Sequence, residues 1–376
     1  MSFWPAIIVG VTLLVAYANG ANDNFKGVAT LFGSGVTDYR KALWWATITT
    51  LAGSVTAFFV ATQLVSIFQG KGLVPEFLMG SEPFVTAVIL GAALTVCLAT
   101  KIGIPISTTH SLTGALCGSG FVAVGLQLGF HTLLASFFLP LLVSPLLAVV
   151  MATLGYPLLS RAIRSVGLTK KNCVCIGSEQ IPAVVTPEGI VMSQSAPGLR
   201  VLIDNEATCV QRLSGNLFGV NGQRLVDIGH FLSAGAVGFA RGLNDTPKLV
   251  ALGLVGGALD LPWAIALVAS VMAFGGLIHA QEVAQTVSKR ITAMDPEQGL
   301  LANVVTSFLV IFASKWGLPV STTHISCGAL FGIGVANGHA RWNIIRTILM
   351  AWLLTLPIAA LNGGLIYAML SRVVMS

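Results

Sequence analysis

Charged residues are scarce in this sequence. Aspartate, glutamate, lysine and arginine together make up 9% of its 376 residues, whereas a soluble globular domain carries roughly 25%. Hydrophobic residues reach 55%, and the mean hydropathy is +0.86. Apolar stretches of about 20 residues, long enough to cross a hydrocarbon layer of ~30 Å, recur along the chain. The scarcity of charge therefore excludes an ordinary soluble protein and indicates a polytopic membrane protein.

The long apolar runs also lack the alternation of polar and apolar residues that marks a membrane-spanning β-strand. Residues 132–150 and 348–356, for example, are apolar almost throughout. Unpaired backbone groups are too costly in lipid, so a span is either a helix or a strand of a closed barrel. The missing alternation favours helices, and we predict an all-α polytopic membrane protein.

Other absences narrow the function. No lysine or arginine precedes the first apolar run and no small-residue cleavage site follows it, so we interpret this run as a first span and not a signal peptide. The chain has no glycine-rich phosphate loop followed by Lys-Ser or Lys-Thr. Cys173-Val-Cys175 is too closely spaced for the usual zinc half-site. We expect no cofactor and no nucleic-acid partner, although the net charge is +6.

Two short sequence elements each occur twice. The first is Gly-Ala-Asn-Asp-Asn-Phe-Lys at residues 20–26, which returns as Gly-Leu-Asn-Asp-Thr-Pro-Lys at residues 242–248. The second is Lys-Ile-Gly-Ile-Pro-Ile-Ser-Thr-Thr-His at residues 101–110, which returns as Lys-Trp-Gly-Leu-Pro-Val-Ser-Thr-Thr-His at residues 315–324. The copies are offset by 222 residues (20 to 242) and by 214 residues (101 to 315). Offsets this similar indicate a single internal duplication.

The duplication divides the chain into three parts. We predict an N-terminal transmembrane repeat over residues 1–160 and a C-terminal inverted transmembrane repeat over residues 225–376. Residues 161–224 are richer in charge and contain short β-like runs among prolines and glycines, which predicts a small extramembrane, cytoplasmic insert. A continuous helix over residues 3–36 would measure roughly 50 Å, too long for one straight crossing. We therefore predict a broken helix, interrupted near residues 20–23.

The placement of lysine and arginine predicts how the repeats insert. Five predicted crossings in each repeat put most basic residues, including those of the insert, on one side, which the positive-inside rule assigns to the cytoplasm. An odd number of crossings gives the two homologous halves opposite orientations. Inverted-topology repeats with broken helices or helical hairpins around a midplane site are typical of secondary transporters. We expect a multi-pass protein of the cell (plasma or inner) membrane.

Each copy of the Asn-Asp motif places a carboxylate in an apolar setting. Such a carboxylate is costly unless it is paired, hydrated or bound to a cation. A single one could be an interfacial acid at a helix end, but Asp23 and Asp245 occupy equivalent positions of a duplicated motif. We predict that they bind a cation or carry a proton and that they meet between the repeats. Lys26 and Lys248 lie three residues later, so each either pairs with its aspartate or snorkels to the interface.

The Pro-x-Ser-Thr-Thr-His copies predict two helix starts. Proline suits the first turn of a helix, where the free N–H groups and the positive dipole end attract anions. Two such ends facing each other would hold a small oxyanion; the alternative is that serine and threonine only cap the helices. His110 and His324 could contact the anion, gate a proton or bond a backbone carbonyl, and we prefer the carbonyl bond.

Together the doubled motifs resemble those of the inorganic phosphate transporter (PiT) family. The resemblance covers residues 1–160 and 225–376, and it implies a cation-coupled phosphate carrier with two inverted halves around a hydrophilic insert. It implies that the coupling cation is bound by Asn22, Asp23, Asn244 and Asp245. If the cation is Na+, Asp23 and Asp245 would be its ligands. It implies that phosphate is held by Ser107, Thr108, Thr109, Ser321, Thr322 and Thr323.

Two departures from the family pattern concern the coupling ion. Many relatives have a neutral asparagine three residues after the aspartate, where this chain has Lys26 and Lys248. Some sodium-coupled relatives carry a glutamate in the second span, where this chain has Thr49 and Thr50. We hypothesise that the two lysines either bind phosphate directly or fill the space of a sodium ion. The second case would weaken sodium dependence and favour proton coupling or exchange, so Na+ and H+ both stay open.

Three alternatives accompany this prediction. A carrier of sulfate or another tetrahedral oxyanion could use the same hydroxyl and amide groups, although two carboxylates suit a protonated or cation-bridged phosphate better. An intramembrane enzyme is disfavoured, because Ser107 and His110 lie on one segment without a third group to activate them. A receptor is disfavoured because residues 161–224 carry no recognisable catalytic or phosphate motif. We predict a transporter and not an enzyme, with inorganic phosphate and the lipid bilayer as partners and a homodimer as the candidate assembly.

Overall fold

The apolar runs of the first half form helices. The computed structural model describes residues 3–60, 62–165, 172–185, 191–195, 200–205, 213–255, 257, 259–291 and 294–375. The helices of the first half are Trp4–Asp23 (α1), Ala29–Gly33 (α2), Tyr39–Val60 (α3), Thr62–Phe68 (α4), Glu76–Met79 (α5), Glu82–Lys101 (α6), Thr108–Val124 (α7), Phe130–Thr132 (α8) and Leu139–Ser165 (α9). A π-helical segment, Leu133–Phe138, joins α8 to α9.

The second half is also built from helices. They are Gly222–Gly253 (α10), Leu261–His279 (α11), Gln281–Gln285 (α12), Pro296–Lys315 (α13), Thr322–Ala336 (α14) and Trp342–Met375 (α15). A π-helical segment, Thr286–Arg290, follows α12. The long helices α1, α3, α6, α7 and α9 of the first half therefore have counterparts, in the same order, in α10, α11, α13, α14 and α15 of the second half.

The segment between the halves contains a small antiparallel sheet. Its strands are Asn172–Val185 (β1), Val191–Ser195 (β2), Arg200–Asn205 (β3) and Leu213–Asn221 (β4). The first part of β1 pairs with β3 and β4, and its last part pairs with β2. The β-like runs predicted at 183–191 and 199–203 overlap these strands, although residues 186–190 and 199 lie outside the described part of the chain. The assignment of 161–224 to the cytoplasm stays a prediction.

The predicted break in the first long apolar segment is present. Helix α1 ends at Asp23, a 3-10 turn covers Asn24–Val28, and α2 continues the chain. The second copy of the motif differs, because α10 runs through Asn244 and Asp245 as one α-helix with Pro247 inside it. Proline removes one intrahelical hydrogen bond, but neighbouring helices and polar side chains in a membrane bundle can satisfy the freed group.

The Pro-x-Ser-Thr-Thr-His copies lie in two helical hairpins, as predicted. Helices α6 and α13 each end in a turn whose glycine has a positive φ, +70° at Gly103 and +68° at Gly317. This left-handed conformation suits glycine and terminates a helix. The chain then passes the proline to an extended serine, Ser107 or Ser321, after which α7 or α14 begins. Both copies therefore turn in the same way and start a helix at the same position.

The two halves pack reciprocally. Helix α7 packs on α15 of the other half, and its counterpart α14 packs on α9, the counterpart of α15. In the same way α3 packs on α10, while α11, the counterpart of α3, packs on α1. This exchange of equivalent partners is expected of two related halves about a pseudo-twofold axis. Helix packing does not say which side of the bilayer each half faces, so the inverted orientation stays a prediction.

The surface of the helical part is apolar and its interior holds polar groups. Large apolar side chains such as Trp44, Phe59 and Leu142 are 57%, 73% and 64% exposed. Seven of the described helical segments are long and apolar enough to cross a membrane. Helices α7 and α14, with 17 and 15 residues, are shorter than the ~20 residues of a full crossing, so five crossings per half stays a prediction. The fold is that of an all-α polytopic membrane protein.

Candidate functional site

The aspartates of the duplicated Asn-Asp motif meet inside the protein. Asp23 is the last residue of α1 and is 2% exposed, while Asp245 lies within α10 and is 4% exposed. The side-chain amide of Asn19 donates to both carboxylates, at 3.1 Å to Asp23 Oδ2 and 3.3 Å to Asp245 Oδ2. One donor therefore bridges the carboxylates of the two halves, as the predicted meeting of the motifs requires.

Lys26 lies at the centre of the first half-site. Its Nζ contacts Asp23 Oδ1 directly and donates to Asn22 Oδ1 at 2.7 Å. It also donates to the main-chain oxygen of Ile106 at 2.8 Å and to Thr323 Oγ1 at 2.8 Å. Four oxygen atoms therefore surround this ammonium group. Ile106 belongs to the same half as the lysine, whereas Thr323 belongs to the other half.

Lys248 makes the equivalent contacts from the second half. Its Nζ lies 3.7 Å from Asp245 Oδ1 and donates to the main-chain oxygen of Val320 at 2.7 Å and to Thr109 Oγ1 at 2.8 Å. Like Lys26, it contacts the aspartate three residues earlier, a carbonyl of its own half and a threonine of the other half. The predicted Asp–Lys pairs are present in both halves, and neither lysine snorkels to the interface, because both are buried.

The two helix tips face each other and are joined by threonines. Thr109 Oγ1 donates to the main-chain oxygen of Val320 at 3.2 Å, and Thr323 Oγ1 donates to that of Ile106 at 3.0 Å. These carbonyls directly precede the serines of the two motifs. Each threonine therefore accepts a hydrogen bond from the other half's lysine and donates one to the other half's main chain.

Ser107 and Ser321 are N-caps. Ser107 Oγ accepts from the backbone N–H of His110 at 3.1 Å, and Ser321 Oγ accepts from that of His324 at 3.2 Å. An N-cap serine satisfies one of the free N–H groups at a helix start. The remaining N–H groups of α7 and α14 are the ones that could contact an anion.

The remaining predicted residues also border this cluster. Asn22 Nδ2 donates to Thr100 Oγ1 at 3.0 Å, and Asn244 Nδ2 donates to the main-chain oxygen of Val320 at 3.2 Å. Thr108 Oγ1 donates to Asp23 Oδ2 at 3.2 Å. Thr322, the first residue of α14, is buried as well. The structure therefore brings all of the predicted cation and phosphate residues into one region between the halves.

The two motif histidines stack on each other. The ring centroids of His110 and His324 lie 4.2 Å apart, with an angle of 23° between the rings, and the ring of Trp352 packs on His324 at 3.7 Å. His324 Nδ1 bonds Ser321 Oγ at 2.6 Å. Among the described residues, His324 Nε2 and His110 Nδ1 have no hydrogen-bond partner. The preferred prediction of a carbonyl bond is therefore wrong for His324. One ring nitrogen bonds a serine hydroxyl, and the other has no hydrogen-bond partner among the described residues.

Sequence analysis missed two residues of this cluster, Asn19 and Arg241. Arg241 is 2% exposed, and its NH2 group donates to Asn19 Oδ1 at 2.6 Å. Its Nε lies 3.7 Å from Asp245 Oδ2. Both residues precede the duplicated elements and differ from each other, so a search for repeated letters passes over them. Arg241 could have been identified from its position directly before the second Asn-Asp motif in an apolar segment. A charged residue inside a membrane segment is a candidate functional residue by default.

The arrangement can hold a small anion and exchange protons, and it offers little for covalent chemistry. Hydroxyl groups, helix N-termini and buried cations lie together, as in oxyanion-binding sites. Ser107 and Ser321, the serines of the two motifs, are N-caps. Ser321 Oγ also bonds His324 Nδ1, but the other ring nitrogen of this histidine has no partner among the described residues, so no third group completes a catalytic triad.

Comparison with known proteins places this site in a family. Residues 19–363 match the phosphate transporter family. The chain is 28% identical to a Pyrococcus abyssi protein named "Putative phosphate permease", with 98% of each chain covered. It is also 28% identical to "Inorganic phosphate transporter 2-1, chloroplastic" of Arabidopsis thaliana, covering 92% of this chain and 68% of that one. A solved structure described as "The sodium-dependent phosphate transporter" has the same fold, with a TM-score of 0.77 at 20% identity over 99% of this chain and all of that one.

The family match extends over nearly the whole chain and includes every residue assigned to the cluster. It confirms the resemblance that the two doubled motifs indicated. The chain belongs to the phosphate transporter family, whose members are membrane transporters and not enzymes.

Proposed function

We propose that this protein is a secondary active transporter that carries inorganic phosphate across the cell (plasma or inner) membrane by alternating access, coupled to a cation. Family membership and the names of the relatives support phosphate as the substrate. The observation that carries the mechanism is the reciprocal pair of half-sites, in which Lys26 bonds Thr323 and Lys248 bonds Thr109. Two half-sites from related halves are typical of transporters built from repeats.

Phosphate binds, in this proposal, at the two helix tips. Its oxygens can accept hydrogen bonds from hydroxyl groups, backbone N–H groups and ammonium groups, which are strong partners for an anion. The binding residues are Ser107, Thr108, Thr109, Ser321, Thr322, Thr323, Lys26 and Lys248. In the described structure the lysine–threonine bonds link the two halves directly, so an entering anion has to replace them. Binding is thereby linked to movement between the halves, as alternating access requires.

The surroundings of Lys26 favour H+ as the coupling ion. Hard cations prefer oxygen ligands, and a carboxylate, an amide, a carbonyl and a hydroxyl oxygen converge here. This set suits Na+ chemically, but the lysine ammonium already lies at its centre and takes the four oxygen atoms as its own partners. We therefore propose that the carboxylates of Asp23 and Asp245 bind the coupling proton, while the amides of Asn22 and Asn244 hydrogen-bond within the same cluster. Coupling to Na+ is the alternative.

Uptake into proteoliposomes tests the function and the coupling ion separately. Labelled phosphate uptake is measured with an imposed H+ gradient, an imposed Na+ gradient, both and neither. We expect accumulation with the H+ gradient alone and no further stimulation by Na+. A strict requirement for Na+ would refute proton coupling and leave phosphate transport intact. No phosphate uptake under any gradient would refute the proposed function.

Sulfate is the second candidate substrate, because hydroxyl and amide groups bind several tetrahedral oxyanions. An excess of unlabelled sulfate added to the phosphate uptake assay distinguishes the two. Under the phosphate proposal, sulfate reduces uptake far less than an equal concentration of unlabelled phosphate. Equal inhibition, together with direct uptake of labelled sulfate, would favour the second candidate.

The assembly proposed from the sequence is a homodimer, which the molecular mass of the detergent-solubilised protein tests.

A further inference from the structure

The centre of the cluster breaks the symmetry of the two halves. The offset of 222 residues between the Asn-Asp motifs makes Asn19 and Arg241 equivalent positions. Asn19 bridges the two carboxylates, whereas Arg241 packs behind it with NH2 bonded to Asn19 Oδ1 at 2.6 Å. Where the first half has a neutral amide, the second half therefore has a permanent positive charge.

Arg241 has mostly neutral partners. Its NH1 donates to Asn24 Oδ1 at 3.1 Å and lies 3.4 Å from Thr50 Oγ1. The closest carboxylate oxygen, Asp245 Oδ2, is 3.7 Å from Nε, and Nε has no hydrogen-bond partner among the described residues. Lys248 lies at the same distance from the other oxygen of that carboxylate. Asp245 is thus shared between two cations, while Asp23 is matched by Lys26.

The buried charges do not balance. Among the described residues, the buried Asp, Glu, Lys and Arg side chains are five, and they all lie in this cluster: Asp23, Asp245, Lys26, Lys248 and Arg241. With the acids ionised and the bases protonated, three positive charges face two negative charges, which leaves one positive charge unmatched. A buried charge without a counter-charge is strongly unfavourable, and electrostatic effects in such a site act over several ångströms.

We propose that Arg241 is a specificity-determining residue, and that the unmatched positive charge of the buried cluster requires one negative charge on the substrate as its counter-charge. This inference rests on the proposed function and concerns the site while both aspartates are ionised, before the coupling proton binds: in that state the site accepts one negative charge and penalises a second. Phosphate can meet this rule by keeping a proton, whereas sulfate cannot near neutral pH. Arg241 acts here through its charge, and no contact between it and the anion is required.

The other ionisable groups beside the cluster do not alter this count while they are uncharged. His110 on α7 lies near Lys248, and His324 and Cys327 on α14 lie near Lys26. Protonation of a histidine would add positive charge and relax the rule, so the experiment is run at one fixed pH near neutrality. No further Asp, Glu, Lys or Arg side chain of the described residues is buried with them.

Three variants separate charge from shape. Arg241→Lys keeps the charge, and Arg241→Asn gives the second half the residue of the first. The double variant Asn19→Arg with Arg241→Asn moves the charge to the equivalent position of the other half. Arg372→Asn, at an exposed arginine near the end of α15, is the control. Each variant is reconstituted, and KM and kcat for phosphate uptake are measured at fixed pH without Na+, with thermal unfolding as a check of folding.

We expect Arg241→Asn to raise KM at least ~10-fold with a smaller change in kcat, the loss expected for one charged interaction. Arg241→Lys and the double variant should recover much of that loss. An unchanged KM in a folded Arg241→Asn variant overturns the proposal. A KM for Arg241→Lys and for the double variant that is raised as much as that of Arg241→Asn also overturns it. If the variants do not fold, sulfate competition in phosphate uptake by the wild-type protein still tests the charge rule. Inhibition by sulfate as strong as that by unlabelled phosphate overturns the rule. Failure of wild-type phosphate uptake would instead refute the proposed function itself.

Discussion

The side-chain nitrogen of Lys26, in the first half of the chain, donates a hydrogen bond of 2.8 Å to the hydroxyl of Thr323, in the second half. Lys248, in the second half, donates the equivalent bond to Thr109, in the first half, also at 2.8 Å. Because each bond crosses between the halves, the lysines connect the two parts that move against each other in the proposed mechanism.

Replacing the lysines should change the ion requirement. Lys26→Asn and Lys248→Asn each remove an ammonium group and leave its oxygen ligands facing one another, so uptake without sodium should fall at least ~10-fold. In the double variant the vacated oxygen sets can take a cation, and sodium should restore part of the uptake. Proteoliposome uptake with and without Na+ measures this.

The control for the lysine variants is Lys41→Asn. Lys41 is largely exposed and pairs with Asp38 on the surface, so its loss should leave both uptake and ion dependence unchanged. If Lys26→Asn and Lys248→Asn transport normally without sodium, the lysines do not occupy a functional cation position. If sodium has no effect on the double variant, the oxygen sets are not latent sodium sites.

The cross-linking threonines should be equivalent. Thr109→Val and Thr323→Val keep the side-chain shape but remove the hydroxyl, which leaves a buried ammonium and a buried carbonyl each short of a partner. Each variant should lose roughly 1–3 kcal/mol of stability. The two losses should be similar, because each threonine accepts from a lysine of the other half and donates to a main-chain oxygen of the other half. Thermal unfolding in detergent measures the losses.

Thr56→Val is the matched control for the threonines. The Thr56 hydroxyl bonds the main chain of its own helix, to Ala52, at an exposed position, so its removal should have little effect. Unequal effects of Thr109→Val and Thr323→Val would show that the two half-sites are not equivalent. Thr→Ser variants at both positions keep the hydroxyl and should retain uptake.

The duplication made much of this site predictable from the sequence. Repeated letters identified the aspartates, the lysines three residues later and the two helix starts, because these features depend on local spacing. The crossing of the lysine–threonine bonds depends on how the halves pack, which local spacing does not determine. Arg241 was missed for a related reason: it matters because it differs from Asn19, and a search for repeats finds only what is the same.

The second Asn-Asp motif shows the limit of transferring structure between repeats. The first copy is interrupted by a 3-10 turn, whereas the second continues as an α-helix past Pro247. The dense polar contacts of α10 with both halves hold this helix in place, including those of Asn244 and Lys248. Tertiary contacts therefore override the helix-breaking tendency of proline here.

Removing either aspartate should destabilise the protein strongly. Asp23→Asn leaves Lys26 buried without its carboxylate, and Asp245→Asn leaves Lys248 and Arg241 without theirs, which costs about 3–5 kcal/mol for a broken buried pair. Asp245→Asn should be the more damaging, because two cations share that group. Unfolding temperatures and phosphate uptake measure both effects.

Asp38→Asn is the control for the aspartates. Asp38 is exposed between α2 and α3, and its pKa is lowered chiefly because the backbone N–H of Lys41 donates to its carboxylate. Solvent screens this interaction, so the variant should unfold at the wild-type temperature and transport normally. If Asp23→Asn and Asp245→Asn behave like Asp38→Asn, the buried groups are not ionised partners, and the charge count at the site has to be revised.

A methyl group at Gly242 should disturb the site through the packing of α10 on α3. A Cβ built on Gly242 would lie 2.7 Å from the backbone nitrogen of Ser54, so the helices must separate for Gly242→Ala to fit. Overpacking of this kind costs typically ~1–3 kcal/mol. Because Arg241 is the adjacent residue and lies 3.4 Å from Thr50 on α3, the same shift should move its guanidinium and reduce phosphate uptake. Gly229 lies in the same helix, and a Cβ added there would be 3.8 Å from the nearest side-chain atom, an ordinary van der Waals contact. Gly229→Ala should therefore be tolerated. Equal unfolding temperatures and equal uptake for the two variants would mean that the helices can separate here without moving Arg241.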